Sequence, residues 1–162
     1  MSDAIRIEAA ARLSLADCRR LVLSSEPWIT LGYGEAEVEA IARSSTADNL
    51  LVALAGDRVV GFTLSTPGVL LGEYLRLLAV ESDRRAAGIG RRLMEELERR
   101  AFAHWPNVYL CVSDFNTGAR AFYRRMGYEE VGALRDLLMP GTAEILMRKT
   151  AGAWRGYRQG GL

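Results

Sequence analysis

The middle of the chain places a strand, a glycine-containing loop and an amphipathic helix in succession. Tyr74 to Val80 is apolar apart from Arg76, which is typical of a strand near the centre of a sheet. From Gly90 to Phe102 apolar residues recur at helical spacing, with charged residues between them. Asn107 to Val112 is then predicted to be the next strand. This order predicts a right-handed β-α-β crossover that joins two parallel strands.

Further strands are predicted on both sides of this crossover. They are Ile5 to Ala9, Leu50 to Ala55, Val59 to Ser65, Glu129 to Leu134 and Ala143 to Arg148. Gly56-Asp57-Arg58 fits the turn of a hairpin, and Pro67-Gly68 is expected to break the strand that follows it. The sheet should therefore contain about six to seven strands.

About four helices are predicted. The first follows Ser14, whose hydroxyl forms a capping-box signal with Asp17, and the second covers Ala36 to Ala42. The third is the crossover helix. The fourth follows Asn116, a favourable N-cap, and ends at Gly127. Together the elements indicate an α/β (α+β) fold with a mixed central sheet.

Length and composition indicate one globular domain. The chain has 162 residues, of which 49% are hydrophobic and 25% charged. We expect residues 1–150 to form the domain and the glycine-rich residues 151–162 to form a flexible tail. The formal charge of +1 gives no general attraction for nucleic acid or membrane, and no metal-ligand spacing joins the two cysteines to the single histidine. We expect a cytoplasmic protein without a metal.

The loop of the crossover has features of a phosphate-binding site. Gly88 and Gly90 let the backbone approach an anion, and the unpaired N–H groups of the following helix N-terminus favour negative charge. Arg85 and Arg91 add positive charge, and from Arg84 to Arg125 nine arginines outnumber four acidic residues. The loop matches neither a P-loop nor a dinucleotide-binding fingerprint. A tight turn without a ligand would also explain its glycines.

Two motifs occur in order on the crossover and on the helix after it. The first reads Arg85-Ala86-Ala87-Gly88-Ile89-Gly90. The second is Asn116 followed by Ala119-Arg120-Ala121-Phe122-Tyr123-Arg124-Arg125-Met126-Gly127-Tyr128. Together they resemble the GCN5-related N-acetyltransferase (GNAT) superfamily, over about Ile5 to Lys149. The resemblance implies the GNAT fold, in which the crossover carries the pyrophosphate loop.

The resemblance further implies an acetyl-CoA-dependent N-acetyltransferase, in which a primary amine attacks the thioester directly within a ternary complex. Acetyl-CoA is then the co-substrate and a small-molecule or peptide amine is the acceptor. A homodimer is left open, as is the class of amine. The implied cofactor-binding residues are Leu78, Ala79, Val80, Arg85, Ala86, Ala87, Gly88, Ile89, Gly90, Arg91, Asn116, Phe122 and Tyr123.

Tyr123 matches the position of the family's usual general acid. A phenol with a pKa of about 10 can donate a proton to the leaving thiolate without being ionised at neutral pH. A core aromatic on the buried face of the helix is the alternative interpretation.

The general base is left open. Cys111 and Tyr74 occupy two positions at which members of the family carry a glutamate. Glu73 and Glu144 are the candidate bases, although strand alternation makes Glu73 face away from Tyr74. A salt bridge would also explain either glutamate, and deprotonation through water or entry of an already neutral amine are further alternatives.

Two other functions remain open on the sequence alone. One is an acyl-CoA-binding sensor or structural module that has kept the binding loop without turnover, which the absent family glutamates favour. The other is an anion- or nucleotide-binding protein that does not use CoA.

Overall fold

The computed structural model describes residues 4–157. The strands are Ile5–Ala9 (β1), Leu50–Ala55 (β2), Arg58–Val69 (β3), Gly72–Val80 (β4), Asn107–Ser113 (β5), Glu129–Arg135 (β6) and Ala143–Thr150 (β7). The helices are Leu15–Val22 (α1), Glu35–Ser44 (α2), Ile89–Ala101 (α3) and Thr117–Arg125 (α4). A short segment at Trp154–Tyr157 (α5) is kinked, because the backbone angles of Arg155 and Gly156 are not helical. A 3-10 turn at Ser82–Ala87 precedes α3.

The strands form one seven-stranded sheet in the order β1-β2-β3-β4-β5-β7-β6. β4 and β5 are parallel, as the predicted crossover requires. The pairs β1-β2, β2-β3, β5-β7 and β6-β7 are antiparallel. The mixed sheet with its helices confirms the predicted fold class.

Short-range signals place the ends of two helices where the sequence predicts them. The Ser14 hydroxyl accepts a hydrogen bond from the Asp17 backbone at 3.1 Å, so α1 begins at the capping box. The Asn116 side chain caps α4 in the same way, through the Ala119 backbone at 3.2 Å. Gly127 has a φ of 91°, which ends α4 because this backbone conformation is open mainly to glycine.

The predicted break at Pro67-Gly68 is wrong, since β3 continues to Val69. The chain reverses instead at Leu70 and Leu71, whose φ angles are 49° and 58°. Two consecutive positive φ angles fit a two-residue hairpin turn with the twist of its flanking strands. β3 therefore extends to that turn, and its proline lies near the end of the strand, where a missing backbone donor is tolerated.

The chain divides into two compact units, and the first comprises Met1–Ser65 and Leu77–Leu97. Apolar side chains of α1 and α2 form a core with the strands of this unit. Its members include Leu13, Cys18, Leu21, Val22, Val38, Ile41, Leu50, Val52, Phe62, Leu64, Leu77 and Ala79. Gly61 lets β3 approach β4 closely, because a Cβ there would lie 2.9 Å from the Ala79 carbonyl oxygen.

The second unit comprises Thr66–Arg76 and Glu98–Leu162. Here β4 approaches β5 closely at Gly72, where a Cβ would lie 2.7 Å from the Asn107 carbonyl oxygen. This glycine is therefore required by space alone. The paired segments are Gly72 to Leu75 and Asn107 to Leu110, and both strands continue beyond them.

The end of the described chain packs against the residues that follow α3, within the second unit. The Trp154 ring stacks on Trp105, with 6.0 Å between ring centroids, and the Tyr157 hydroxyl donates to the Phe102 carbonyl oxygen. Residues 158–162 of the predicted flexible tail lie outside the described residues. The flexibility of the tail and the single domain over residues 1–150 stay predictions.

Two kinds of feature are absent from the described residues. No helix within residues 4–157 is long and apolar enough to cross a membrane. Nor do the side chains of these residues bring together three or more His, Cys, Asp or Glu in a group that could hold a metal ion.

Candidate active site

The crossover loop combines a left-handed residue with a helix N-terminus. The 3-10 turn at Ser82–Ala87 leads into Gly88, which has φ 72° and ψ 11°. A Cβ at Gly88 would meet no atom within 4 Å, so the backbone conformation rather than space favours glycine. The Arg92 backbone donates to the Gly88 carbonyl oxygen at 3.1 Å. The N–H groups of residues 89–91 precede the first such bond and are suited to bind an anion.

Arginine side chains add positive charge to this loop. Arg85 is exposed, and its Nε lies 3.5 Å from the Val80 carbonyl oxygen. The guanidinium of Arg91 is 58% exposed and lies 3.6 Å from the Glu95 carboxylate. Exposed pairs of this kind contribute only about 0–1 kcal/mol, so a phosphate can compete with Glu95 for Arg91.

Glu81 joins the end of β4 to several arginines. Its carboxylate is 12% exposed and accepts hydrogen bonds from Arg20 and Arg58, and Arg84 lies 3.5 Å away. Sequence reasoning missed this residue because Arg20 and Arg58 are 61 and 23 positions away along the chain. These ion pairs hold Glu81, the residue at which the loop begins, in place.

Three of the implied cofactor-binding residues form the last three positions of β4. Leu78 is half-buried, whereas Ala79 and Val80 are buried. Backbone contacts between β3 and β4 hold this segment in the first unit, since the Glu81 N–H donates to the Val60 carbonyl oxygen at 2.9 Å.

Tyr123 lies on α4 in the second unit and is 7% exposed. Its ring meets Phe122 edge to face at a centroid distance of 5.1 Å, and Tyr128 at 5.7 Å. Burial raises the pKa of the Tyr123 phenol above its usual value. The phenol is therefore protonated at neutral pH and can act as a proton donor.

Asn116 is half-buried at the start of α4. Its Oδ1 is used in capping the helix. The Nδ2 group is consequently the part of this amide that can bind a ligand.

The two candidate bases lie on opposite faces of the sheet in the second unit. In the β4-β5 register Glu73 is paired with Val108, which is paired in turn with Lys149 of β7. Paired residues share a face and successive residues alternate. Glu73 and Lys149 therefore share one face, and Glu144 lies on the other.

Glu144 belongs to a polar cluster on one face of the sheet, which we define as Tyr74, Cys111, Ser113 and Glu144. Glu144 is 4% exposed and is paired with Ser113 across β5 and β7. The Ser113 hydroxyl donates to Glu144 Oε1 at 2.6 Å. The Cys111 thiol, on the same face of β5, is hydrogen-bonded to Tyr74.

Burial governs the protonation of this polar cluster. It raises the pKa of the Glu144 carboxyl, against the opposing effect of the Ser113 hydrogen bond, and the charge of Asp114 raises it further. Burial also raises the pKa of the Cys111 thiol. Cys111 is thus a neutral thiol at neutral pH, whereas Glu144 is a carboxyl group whose basicity is increased.

Tyr123 belongs to the face opposite Glu144. Its neighbour Tyr128 donates to Glu98 Oε1 at 3.0 Å, and Glu98 Oε2 accepts from Lys149 at 2.6 Å. Because Lys149 and Glu144 lie on opposite faces of β7, the Tyr123 phenol and the Glu144 carboxylate also lie on opposite faces of this part of the sheet. The sequence analysis proposed both Tyr123 and Glu144 but missed Ser113, which belongs to neither family motif.

Comparisons with known proteins identify the family of the chain. The model of the acetyltransferase (GNAT) family matches residues 13–128. The peptidyl-lysine N-acetyltransferase YjaB of Salmonella typhimurium is 32% identical over 120 residues, which cover 73% of this chain and 76% of that protein.

Solved structures show the same fold. An aminoglycoside 6'-N-acetyltransferase complexed with coenzyme A has a TM-score of 0.72 and 25% identity, over 91% of this chain and 98% of its own. The ribosomal-protein-S18-alanine N-acetyltransferase of Escherichia coli has a TM-score of 0.75 and 17% identity, over 93% and 96%. The chain therefore belongs to the GNAT family of N-acetyltransferases.

Proposed function

We propose that this protein transfers an acetyl group from acetyl-CoA to a primary amine, by direct attack of the amine within a ternary complex. The observation that carries the proposal is the arrangement in the second unit, with the protonated Tyr123 phenol on one face and the buried Glu144 carboxylate on the other. Acyl transfer to an amine needs both an acid for the leaving thiolate and a base for the amine proton.

Acetyl-CoA is held in this proposal by the residues that the family motifs select. The backbone N–H groups of residues 85–91, with the Arg85 and Arg91 side chains, bind the pyrophosphate. The backbones of Leu78 and Val80 pair with pantetheine, and a backbone N–H of residues 78–80 polarises the thioester carbonyl. Asn116 contacts the pantetheine arm, and Phe122 packs near it. The left-handed Gly88 and the exposed arginines support this role for the loop.

Tyr123 is the proposed general acid. Its phenol donates a proton to the sulfur as the carbon–sulfur bond breaks, and it is ready to do so because burial keeps it protonated. After the thiol leaves, the phenolate takes a proton from solvent water, and Glu144 releases its proton to solvent.

Glu144 is the proposed general base. The acceptor in its ammonium form loses a proton to the carboxylate, and the electron pair that this leaves on nitrogen forms the bond to the carbonyl carbon. A carboxyl with a raised pKa is the stronger base. Glu73 is the alternative base. Glu73 is also buried, but it lies on the same face of the sheet as Tyr123. The proposed arrangement requires the base on the face opposite the acid.

The acceptor is proposed to be a small-molecule or peptide amine. Two similar proteins act on such amines by name, one on peptidyl lysine and the other on aminoglycosides. We also propose that the enzyme works in the cytoplasm without a metal, nucleic acid or membrane, and a homodimer is an open option.

The alternative function is an acyl-CoA-binding module without turnover. Cys111 and Tyr74 favour it, because they occupy the two strand positions at which members of the family carry a glutamate. Their side chains are hydrogen-bonded to one another, and neither is a carboxylate base. The two functions differ in whether thiol is released.

The experiment measures thiol release from acetyl-CoA over a panel of amines: lysine peptides, protein N-terminal peptides, polyamines and aminoglycosides. A thermal-shift series with acetyl-CoA, ATP and NAD accompanies it, since a ligand of the native state raises the midpoint. We expect amine-dependent release and the largest shift with acetyl-CoA. Binding without release would favour the module, and a larger shift with ATP would contradict any use of CoA.

A further inference from the structure

We propose that Ser113 is a positioning residue, which orients the Glu144 carboxylate and keeps it ionised for deprotonation of the amine. This inference rests on the proposed function of Glu144 as the base. It assigns a role to a residue that no family motif includes.

The Ser113 hydroxyl is fixed more firmly than a surface serine would be. Ser113 is 1% exposed, and its Oγ lies 2.6 Å from Glu144 Oε1. The next residue, Asp114, makes two hydrogen bonds to the first residue of β7. Its N–H donates to the Ala143 carbonyl oxygen at 2.8 Å, and its Oδ2 accepts from the Ala143 N–H at 3.1 Å. The backbones on both sides of the serine–glutamate bond are thereby locked together.

The bond has a chemical consequence for each oxygen of Glu144. A hydroxyl that donates to Oε1 stabilises the ionised carboxylate and occupies one lone pair of that oxygen, which leaves Oε2 as the freer acceptor. The amine proton then goes to Oε2: a nitrogen–hydrogen bond breaks, an oxygen–hydrogen bond forms, and the electron pair stays on nitrogen for attack. Ser113 thus sets both the direction and the ionisation of the base.

The surroundings of Glu144 make this hydrogen bond necessary. The charge of Asp114, after β5, raises the pKa of Glu144, as burial does. Cys111 of β5 contributes a neutral thiol that is hydrogen-bonded to Tyr74 of β4, and the residue paired with Glu144 on β6 is the uncharged Leu134. Of these groups the Ser113 hydroxyl is the one that favours the ionised form.

The test compares Ser113→Ala with Ser113→Thr, which keeps a hydroxyl on the same strand. The pH dependence of kcat/KM is measured from pH 5 to pH 9, together with the binding of acetyl-CoA. In Ser113→Ala we expect kcat/KM to fall at least tenfold at neutral pH, the acid limb to move to higher pH, and part of the activity to return at alkaline pH. Acetyl-CoA binding should be unchanged, and Ser113→Thr should restore most of the activity and the original acid limb.

A merely structural role predicts a different result, in which Ser113→Ala lowers the rate equally at every pH without moving the acid limb. That outcome would overturn the proposal. Circular dichroism checks folding, and Ser113→Cys, which keeps the volume with a weaker donor, replaces the alanine variant if the latter does not fold. Its acid limb should also move to higher pH.

Glu144→Gln separates failure of this inference from failure of the proposed base. If Glu144→Gln keeps full activity, Glu144 is not the base and the role of Ser113 falls with it. If Glu144→Gln is inactive while Ser113→Ala keeps the native acid limb, the base stands and the positioning role alone is wrong. We expect Ser113→Ala to cause no further loss in the Glu144→Gln background, because coupled residues are not additive.

Discussion

The Tyr128 phenol donates a hydrogen bond of 3.0 Å to Oε1 of Glu98, and both side chains are less than 10% exposed. Their contact fixes a buried carboxylate in the second unit, against which Lys149 also pairs. Tyr123 packs edge to face on the Tyr128 ring. The position of the proposed acid therefore depends on a neighbouring polar contact.

Tyr128→Phe is expected to destabilise the protein by about 1–3 kcal/mol, because a buried carboxylate oxygen loses its donor. Urea unfolding followed by circular dichroism measures the change. Tyr109→Phe is the matched control: its hydroxyl donates at 3.3 Å to the carbonyl oxygen of the exposed Leu70, which water can satisfy. Equal losses in the two variants would contradict a special role for Glu98.

Tyr123→Phe is expected to lower kcat at least tenfold and to leave acetyl-CoA affinity almost unchanged. The variant keeps the ring that packs on Phe122 and Tyr128 and removes only the proton donor. Steady-state kinetics and calorimetric titration with acetyl-CoA separate the two quantities. Unaltered turnover would leave Tyr123 as a core aromatic without an acid role.

Glu144→Gln is expected to abolish the acid limb of the pH–rate profile and most of the activity, whereas Glu73→Gln is expected to keep that limb. The sign follows from the role: a base works ionised, so kcat/KM falls as the pH drops through the pKa of Glu144. Because burial raises that pKa, the decrease in kcat/KM should begin at a pH above the usual pKa of glutamate, which is about 4.3. The reverse result would transfer the base to Glu73.

Gly88→Ala is expected to raise the KM for acetyl-CoA several-fold. Alanine at a φ of 72° is strained by roughly 1–2 kcal/mol, and the loop must shift to relieve it. Gly118→Ala is the control, since Gly118 lies in α4, has no positive φ and leaves open space for a Cβ. An unchanged KM in Gly88→Ala would argue against binding of the pyrophosphate by this loop.

The fold was predictable where neighbouring residues determine an element. Ser14 with Asp17 and Asn116 with Ala119 form caps across three residues, and these positions can be read in order along the chain. The extent of β3 was not predictable in this way. Its end depends on the conformation of Leu70 and Leu71, two residues whose types do not favour a turn.

Residues of the candidate site were likewise selected where the sequence carries a local motif. Gly88 and Tyr123 belong to contiguous motifs, so their residue types carry the signal. The bond between Ser113 and Glu144 spans 31 positions and exists only because β7 lies beside β5 in one register. The residues that neighbour Ser113 and Glu144 in sequence do not specify this register.

The ion pair between Lys149 and Glu98 has a practical consequence for assays. Lys149 is the single lysine of the chain, and its nitrogen is engaged by a carboxylate at 2.6 Å. The enzyme therefore offers a single, already engaged lysine to antibodies against acetyl-lysine. In a mixture of this enzyme, labelled acetyl-CoA and cellular protein, side-chain acetylation seen on a gel can be attributed to the acceptor rather than to the enzyme.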